Sequence, residues 1–202
     1  MRTYVDFMRC ATWLLSVFCL TNAAFAARVD MRDPRRAVGT EDNVRVDAQL
    51  TSEFVSAHSS IGVTYKVHNL SSQTIAVADG ITDASFDSDS STITISIGSE
   101  VPVAGAMPRL VLIHSGQAKT LSAAASVRVS PRDQRRLRSA LVQIRVNVLR
   151  DAAPFVSLTE RQKLTDEQFE QWLTINDAIE LNAIPVHYRV VEDARTADAS
   201  RH

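Results

Sequence analysis

The chain has 202 residues, with 22 basic and 23 acidic side chains and a formal net charge of −1. Charges this evenly balanced create no strong field of one sign, which excludes binding that depends on general attraction to nucleic acid or to an anionic membrane. The sequence contains no recognisable cofactor motif, and we expect no cofactor.

The first 26 residues have the features of a cleaved signal peptide. Arg2 and Arg9 provide a basic start, residues 11–20 form an apolar run, and the small-x-small pattern at 24–26 suits a signal peptidase. The apolar run has about half of the roughly 20 residues that a membrane-spanning helix needs. An uncleaved anchor is the alternative. We therefore predict export, with cleavage after Ala26.

Cleavage would also remove both cysteines, Cys10 and Cys19. A mature chain of about 176 residues (202 minus 26) would then enter an oxidising compartment without a disulfide, so its stability must come from its core. A chain of that length buries roughly 70% of its unfolded surface. Exported proteins without disulfides are ordinary in bacteria. We predict a bacterial periplasmic or secreted protein with no membrane span after signal cleavage.

The pattern of the mature chain indicates β structure. Residues 27–43, which contain Pro34 and Gly39, are predicted to form an extended leader. From 44 to 150, apolar and polar residues alternate in about seven short segments, most clearly at 93–97. Alternation with period two indicates half-buried strands. Because parallel sheets need long crossover connections, usually helices, this spacing predicts an immunoglobulin-like antiparallel β-sandwich over 44–150.

Residues 151–192 are predicted to form a helix-containing appendage packed on the sandwich. Thr165 and Gln168 have the spacing of a capping box and predict an amphipathic helix over 166–180. The apolar stripe of this helix consists of Phe169, Trp172 and Leu173. It either packs on the sandwich or makes the segment an interaction helix for a partner.

The chain then returns to alternation. Ile184, Val186 and Tyr188 predict a final strand, and Pro185 near its start predicts an edge position because proline cannot donate to a neighbouring strand. Residues 193–202 are polar and are predicted to form a disordered tail.

No catalytic residue is predicted. The sequence has no Gly-x-Ser-x-Gly elbow, and the mature chain would have no thiol nucleophile. The five histidines are scattered, without the close spacing of a zinc site.

Three aspartates form the most metal-like group in the sequence. Asp87 and Asp89 offer two carboxylates at alternate positions, as calcium loops do, and Asp83 lies close by. The alternative is a solvated hairpin tip.

Four arginines form a basic group before the strand that begins near Leu141. Guanidinium groups pair bidentately with carboxylates and phosphates, which makes this a candidate ligand-binding site. The alternative is a solvated loop. The group consists of Arg132, Arg135, Arg136 and Arg138.

Two segments resemble the N-terminal immunoglobulin-like domain of periplasmic pilus chaperones. Residues 63–69 leading to 75–77 resemble that family's strand, Asn-containing turn and strand. Residues 108–113, followed by 115–117 and Leu121, resemble its Pro-rich approach, glycine turn and next strand. The resemblance implies an immunoglobulin-like fold and a role in assembly.

The resemblance also implies a site for a client's C-terminal carboxylate, which the family holds with an arginine and a lysine. Arg35 or Arg36 corresponds to the first, whereas the final strand here carries Arg189 and no lysine.

These features together predict a non-catalytic interaction module of the bacterial envelope that binds another exported protein through a sheet edge or loop, a chaperone-like accessory being one form. The alternatives are a small-ligand or metal-binding sandwich and an accessory domain of an envelope enzyme. A deep pocket in which Asp83, Asp87 or Asp89 meets His68, His114 or the arginine group would favour the enzyme.

Overall fold

The computed structural model describes residues 33–56, 59–80, 82–99, 107–158 and 162–189. The predicted signal peptide and the predicted disordered tail lie outside these residues. Within them the chain forms twelve strands and two α-helices. The strands are β1 Arg36–Glu41, β2 Val44–Leu50, β3 Phe54–Val55, β4 Ser60–Asn69, β5 Ile75–Asp79, β6 Thr82–Asp87, β7 Thr92–Ile97, β8 Arg109–Ile113, β9 Ala118–Ser126, β10 Ser139–Leu149, β11 Asp177–Glu180 and β12 Ile184–Tyr188. The helices are α1 Pro131–Arg136 and α2 Asp166–Ile175.

The protein is mainly β, and its strands form two sheets. The first sheet has the order β1-β2-β4-β9 and is antiparallel throughout. The second has the order β3-β12-β10-β5-β8, with β11 and β7 also paired to β10 and with β6 paired to β7. The long strand β10 is therefore the centre of the second sheet.

The two sheets bury their apolar faces in one shared core, an arrangement consistent with a β-sandwich. In β4 every second side chain from Ile61 to Asn69 is buried, as the alternation in the sequence predicts. Val46 and Val67 pair across β2 and β4 and are both buried. They share a hydrophobic cluster with Ile95 and Ile144 of the second sheet.

The second sheet is mixed, which corrects the prediction of a wholly antiparallel sandwich. β7 runs parallel to β10, with Ile95 opposite Ile144, and β3 runs parallel to β12. Parallel neighbours need a long crossover. Here the crossover from β7 to β10 passes through β8, then through β9 of the other sheet, and then through α1.

Residues 36–41, which the sequence places in an extended leader, form β1 at the edge of the first sheet. Asp42 and Asn43 make the two-residue turn to β2, and both have positive φ angles. This is the backbone of a type I′ hairpin, for which Asp and Asn are suited. The ordered sheet therefore begins before residue 44.

Helix α2 ends earlier than the sequence predicts. Thr165 and Gln168 form the capping box, but the helix stops at Ile175, where the Asn176 N–H donates to the Trp172 carbonyl. The predicted last turn is instead β11, which pairs with β10. The prediction of a helix to residue 180 was wrong because Ile179 is buried by strand pairing opposite Val146 of β10, and not by a further helical turn.

The final strand β12 is not at the sheet edge, because β3 lies outside it. β3 pairs only with His187 and Tyr188, so Pro185 is beyond its reach. The Leu141 N–H donates to Ser91, away from β12, which makes Leu141 and Pro185 a non-hydrogen-bonded pair. Pro185 therefore lacks its N–H at a point where neither neighbour requires one.

No helix among the described residues has both the length and the apolar character needed to cross a membrane.

Candidate functional site

Two of the predicted site groups meet at one cavity, which we call the charged cleft. It lies between the β6–β7 hairpin and helix α1, has a volume of about 560 Å³, and is open to solvent. Its lining combines two guanidinium groups, two carboxylates, three hydroxyls and two apolar side chains. The lining residues are Phe86, Ser88, Asp89, Ser91, Ser130, Arg132, Asp133, Arg136 and Leu137.

Helix α1 forms the basic wall of the charged cleft. Ser130 caps it: the Asp133 N–H donates to the Ser130 hydroxyl at 3.2 Å, and that hydroxyl donates to the Asp133 carboxylate at 2.6 Å. Pro131 occupies the first turn, where its missing N–H costs nothing. Arg132 and Arg136 are four residues apart and so lie on one face of the helix.

The structure separates the four predicted arginines. Only Arg132 and Arg136 line the charged cleft. Arg138 donates to the carbonyl oxygens of Arg135 and Leu137 at 3.4 Å, and neither Arg135 nor Arg138 is in the cleft lining. Of the predicted ligand-binding group, Arg132 and Arg136 are therefore the two residues that share a cavity.

The structure does not bring the three aspartates of the predicted metal group together. The Asp87 carboxylate accepts hydrogen bonds from the Ser90 hydroxyl and the Asp89 N–H, which together lower its pKa. Asp83 lies four residues earlier on β6, about 13 Å away at the rise of a β-strand. Among the described residues, no group of three histidine, aspartate or glutamate side chains is placed to hold a metal ion.

Asp89 is the aspartate that reaches the charged cleft. Asp89 lines the same cavity as Arg132 and Arg136, which lie 43 and 47 positions later in the sequence. This is one of the meetings that the enzyme alternative predicts, but the cavity is open to solvent, whereas that alternative requires a deep pocket. The two candidate histidines lie elsewhere: His68 contacts Asp47, and His114 contacts Thr74. With guanidinium, carboxylate and hydroxyl groups in its lining, the charged cleft can bind a polar ligand by ion pairs and hydrogen bonds.

The predicted interaction helix packs on its own chain. Phe169 and Trp172 are buried, and Leu173 packs partly buried against the same cluster as Phe155. The Trp172 indole N–H donates to the Gly98 carbonyl at 2.7 Å. These side chains are therefore committed to the fold and are not presented to a partner.

Arg35 and Arg36, which the resemblance to pilus chaperones offers as carboxylate-binding candidates, and Arg189 of the final strand segment each contact a different residue. Arg35 bonds to Asp33, and Arg36 is buried against Asp47. The Arg189 guanidinium lies 3.5 Å from the centre of the Phe54 ring.

A second surface, the outer edge of β9, has no counterpart among the predicted site residues. β9 pairs with β4 on one side, from Ala118 to Ser126. The Asn69 N–H donates to the Gln117 carbonyl, which fixes which residues point toward β4. Because this direction alternates, the backbone groups of even-numbered residues point away from β4. The Thr82 hydroxyl donates to the outward carbonyl of Ala124 at 2.6 Å, in agreement with that assignment.

Most of this outer edge is unpaired. Within the part of the chain that the structure describes, the outward N–H and C=O groups of Ala118, Thr120 and Ser122 have no hydrogen-bond partner. Leu121 and Ala123 face the core between them but are only partly buried. The many small and polar residues of β9 make its apolar–polar alternation weak. The sequence also gives no sign of which strand lies at a sheet edge.

In comparisons with known proteins, no family model matches this chain and no curated protein matches it.

Proposed function

We propose that this protein is an exported, non-catalytic interaction module of the bacterial envelope that binds an extended segment of another exported protein along β9. The observation that carries the proposal is the outer edge of β9, where alternate backbone groups over Ala118–Ser122 have no partner among the described residues. A strand added at such an edge gains backbone hydrogen bonds without needing any particular side chain.

The side chains of β9 suit such an addition. The residues whose backbone groups point away from β4 all have small, uncharged side chains, which allows a partner backbone to approach closely. These residues are Ala118, Thr120, Ser122, Ala124 and Ser126. Natural proteins usually protect an open edge with charge or proline. β9 contains no proline and one charged residue, Lys119.

The partly buried residues define the chemistry of the partner. Leu121 and Ala123 pack against the core and keep exposed surface at the sheet edge. An added strand with an apolar residue at every second position would cover that surface, at about 25 cal/mol per Å² of apolar area buried. The partner segment is therefore expected to alternate apolar and polar residues.

The two segments that resemble pilus chaperones support two further parts of this proposal, an immunoglobulin-like topology and a role in assembly. The Asn69 side-chain amide donates to Ile113 at 2.8 Å and to Gln73 at 2.7 Å, and the Ser115 hydroxyl donates to Ser71. The two turns therefore lie against each other at one end of the molecule. Both connect one sheet with the other, as crossings in a sandwich do.

The proposal is tested by photo-crosslinking in the envelope of the source organism. A photoreactive side chain at Thr120 should crosslink one dominant exported protein, and the same group at exposed Leu70 should not. Ser122→Pro removes only an outward N–H, so the protein should fold and the crosslink should disappear. Ser122→Ala keeps that N–H and should keep the crosslink. A crosslink that survives Ser122→Pro would overturn the proposal.

A further inference from the structure

The charged cleft carries an inference that is independent of β9. Its lining contains two positive and two negative groups. Arg132, Asp133 and Arg136 belong to α1, and Asp89 belongs to the facing β6–β7 hairpin. None of these four side chains forms an ion pair with another charged residue in the described part of the chain. Opposite charges thus line one cavity without a direct ion pair between them.

A simple anion does not match this cavity. Phosphate or acetate would pair with the guanidinium groups but would lie beside two carboxylates that remain without a cation. A simple cation would have the converse problem. A ligand with one group of each sign satisfies both sets, and guanidinium holds a carboxylate in a bidentate geometry.

The two carboxylates are not equivalent. Asp133 already accepts a hydrogen bond from Ser130 at 2.6 Å. The Asp89 carboxylate has no hydrogen-bond partner among the described residues, although its N–H is used in the turn. Asp89 is therefore the group available to an ammonium ion.

The remaining lining completes the match. Phe86 and Leu137 provide an apolar surface, and Ser88 and Ser91 provide hydroxyls that donate or accept. A volume of about 560 Å³ lies within the usual range for small-molecule sites.

We propose that the charged cleft binds a zwitterionic α-amino acid or short peptide with an apolar side chain. Arg132 and Arg136 hold its carboxylate, Asp89 holds its ammonium group, and Phe86 and Leu137 contact its side chain.

The test is an NMR titration of the protein with the dipeptide alanyl-phenylalanine, its N-acetyl form, its C-terminal amide and inorganic phosphate. The dipeptide should shift the amide signals of Ser88, Asp89 and Arg132. Acetylation or amidation should each weaken binding about tenfold or more, because each removes one charge. Phosphate binding as tight as the dipeptide's, or no response to the dipeptide, would overturn the proposal.

Variants locate the ligand in the cleft. Arg132→Gln with Arg136→Gln should weaken dipeptide binding about tenfold or more, whereas Arg135→Gln on the same helix should leave it unchanged. Asp89→Asn should weaken the dipeptide and leave binding of the N-acetyl form unaltered. These side chains are exposed, so the variants should keep the wild-type melting temperature. An equal loss in Arg135→Gln would place the ligand elsewhere. Ser122→Pro should not affect the titration, which separates this proposal from the one for β9.

Discussion

The first sheet has two edges, and only one of them is closed. At β1, the Val38 N–H donates to the Asn182 side chain at 2.6 Å, and the Val38 carbonyl accepts from the Asn182 N–H at 3.1 Å. At β9, the corresponding outward groups of Thr120 and Ser122 have no partner in the described chain. One protein thus contains a protected edge and an open edge in the same antiparallel sheet.

The edge at β1 is closed by a close approach to β11, which is not paired with it in the sheet. Gly39 brings β1 so near to β11 that an added Cβ would lie 2.5 Å from the Glu180 carbonyl oxygen. Arg36 fixes β1 from the other side through its pair with Asp47. In the described part of the chain β6 lies beside β9, and this approach includes one hydrogen bond, from the Thr82 hydroxyl to the Ala124 carbonyl at the far end of β9. We infer that β1 contributes to stability and that β9 is the edge left for recognition.

The largest expected effect comes from removing the anchor of the closed edge. Asp47 and Arg36 are both buried, with exposed side-chain fractions of 8% and 5%. Asp47→Asn would leave the Arg36 charge buried without its partner, so the free energy of unfolding should fall by about 3 kcal/mol in urea denaturation.

Arg45 supplies the matched control. It pairs with the same Asp47 carboxylate at 2.9 Å, but 38% of its side chain is exposed. Arg45→Gln should therefore cost less than about 1 kcal/mol. Equal losses in the two variants would contradict the view that the buried pair anchors β1.

A smaller loss is expected from a methyl group at Gly39. Gly39→Ala would force the Glu180 backbone away from β1, at a cost of about 1–3 kcal/mol. Ser122→Ala at the open edge should change the free energy of unfolding by less than about 0.5 kcal/mol. If Gly39→Ala were as stable as the wild type in urea denaturation, the close approach of β1 and β11 would be disproved.

Acidification should lower the free energy of unfolding in two steps, through His68 and Asp47 beside the closed edge. Burial, assisted by the charge of Lys66 and opposed by Asp47, lowers the pKa of His68. Burial raises the pKa of Asp47, but hydrogen bonds from Arg45 and Arg36 outweigh it, and the net pKa is lowered. Both groups therefore bind protons more readily in the unfolded chain. Stability should fall as pH drops below about 6.5, and again below about 4.

Urea denaturation across this pH range provides the measurement. His68→Gln should remove the decline that begins near pH 6.5 and leave the one at lower pH, since Asp47 is unchanged. A free energy of unfolding that rises on mild acidification would give the opposite sign and refute the assignment to His68.

The strands were largely predictable because alternation requires only that one face be buried. β4, β7 and β10 show it clearly, and the structure confirms buried faces for all three. β1 was missed because only two of its six residues are buried. The parallel pairing of β7 with β10 was not predictable, since it joins strands separated by a crossover through the other sheet.

The candidate sites were predictable only as separate pieces. The sequence indicated Asp89, Arg132 and Arg136, but these residues meet in one cleft only because distant elements pack together. The hydrogen bonds that the Asp87 carboxylate accepts from its own turn were likewise not visible in the sequence. The open edge of β9 was invisible because any strand can be last in a sheet.

Amide hydrogen exchange along β9 tests the central claim most directly. In the isolated protein, the N–H groups of Leu121 and Ala123 point toward β4 and should exchange slowly, whereas those of Thr120 and Ser122 point outward and should exchange rapidly. An alternation of fast and slow exchange is the predicted result. Equal protection at all four positions would show that the edge is already covered in the free protein, and would contradict the account.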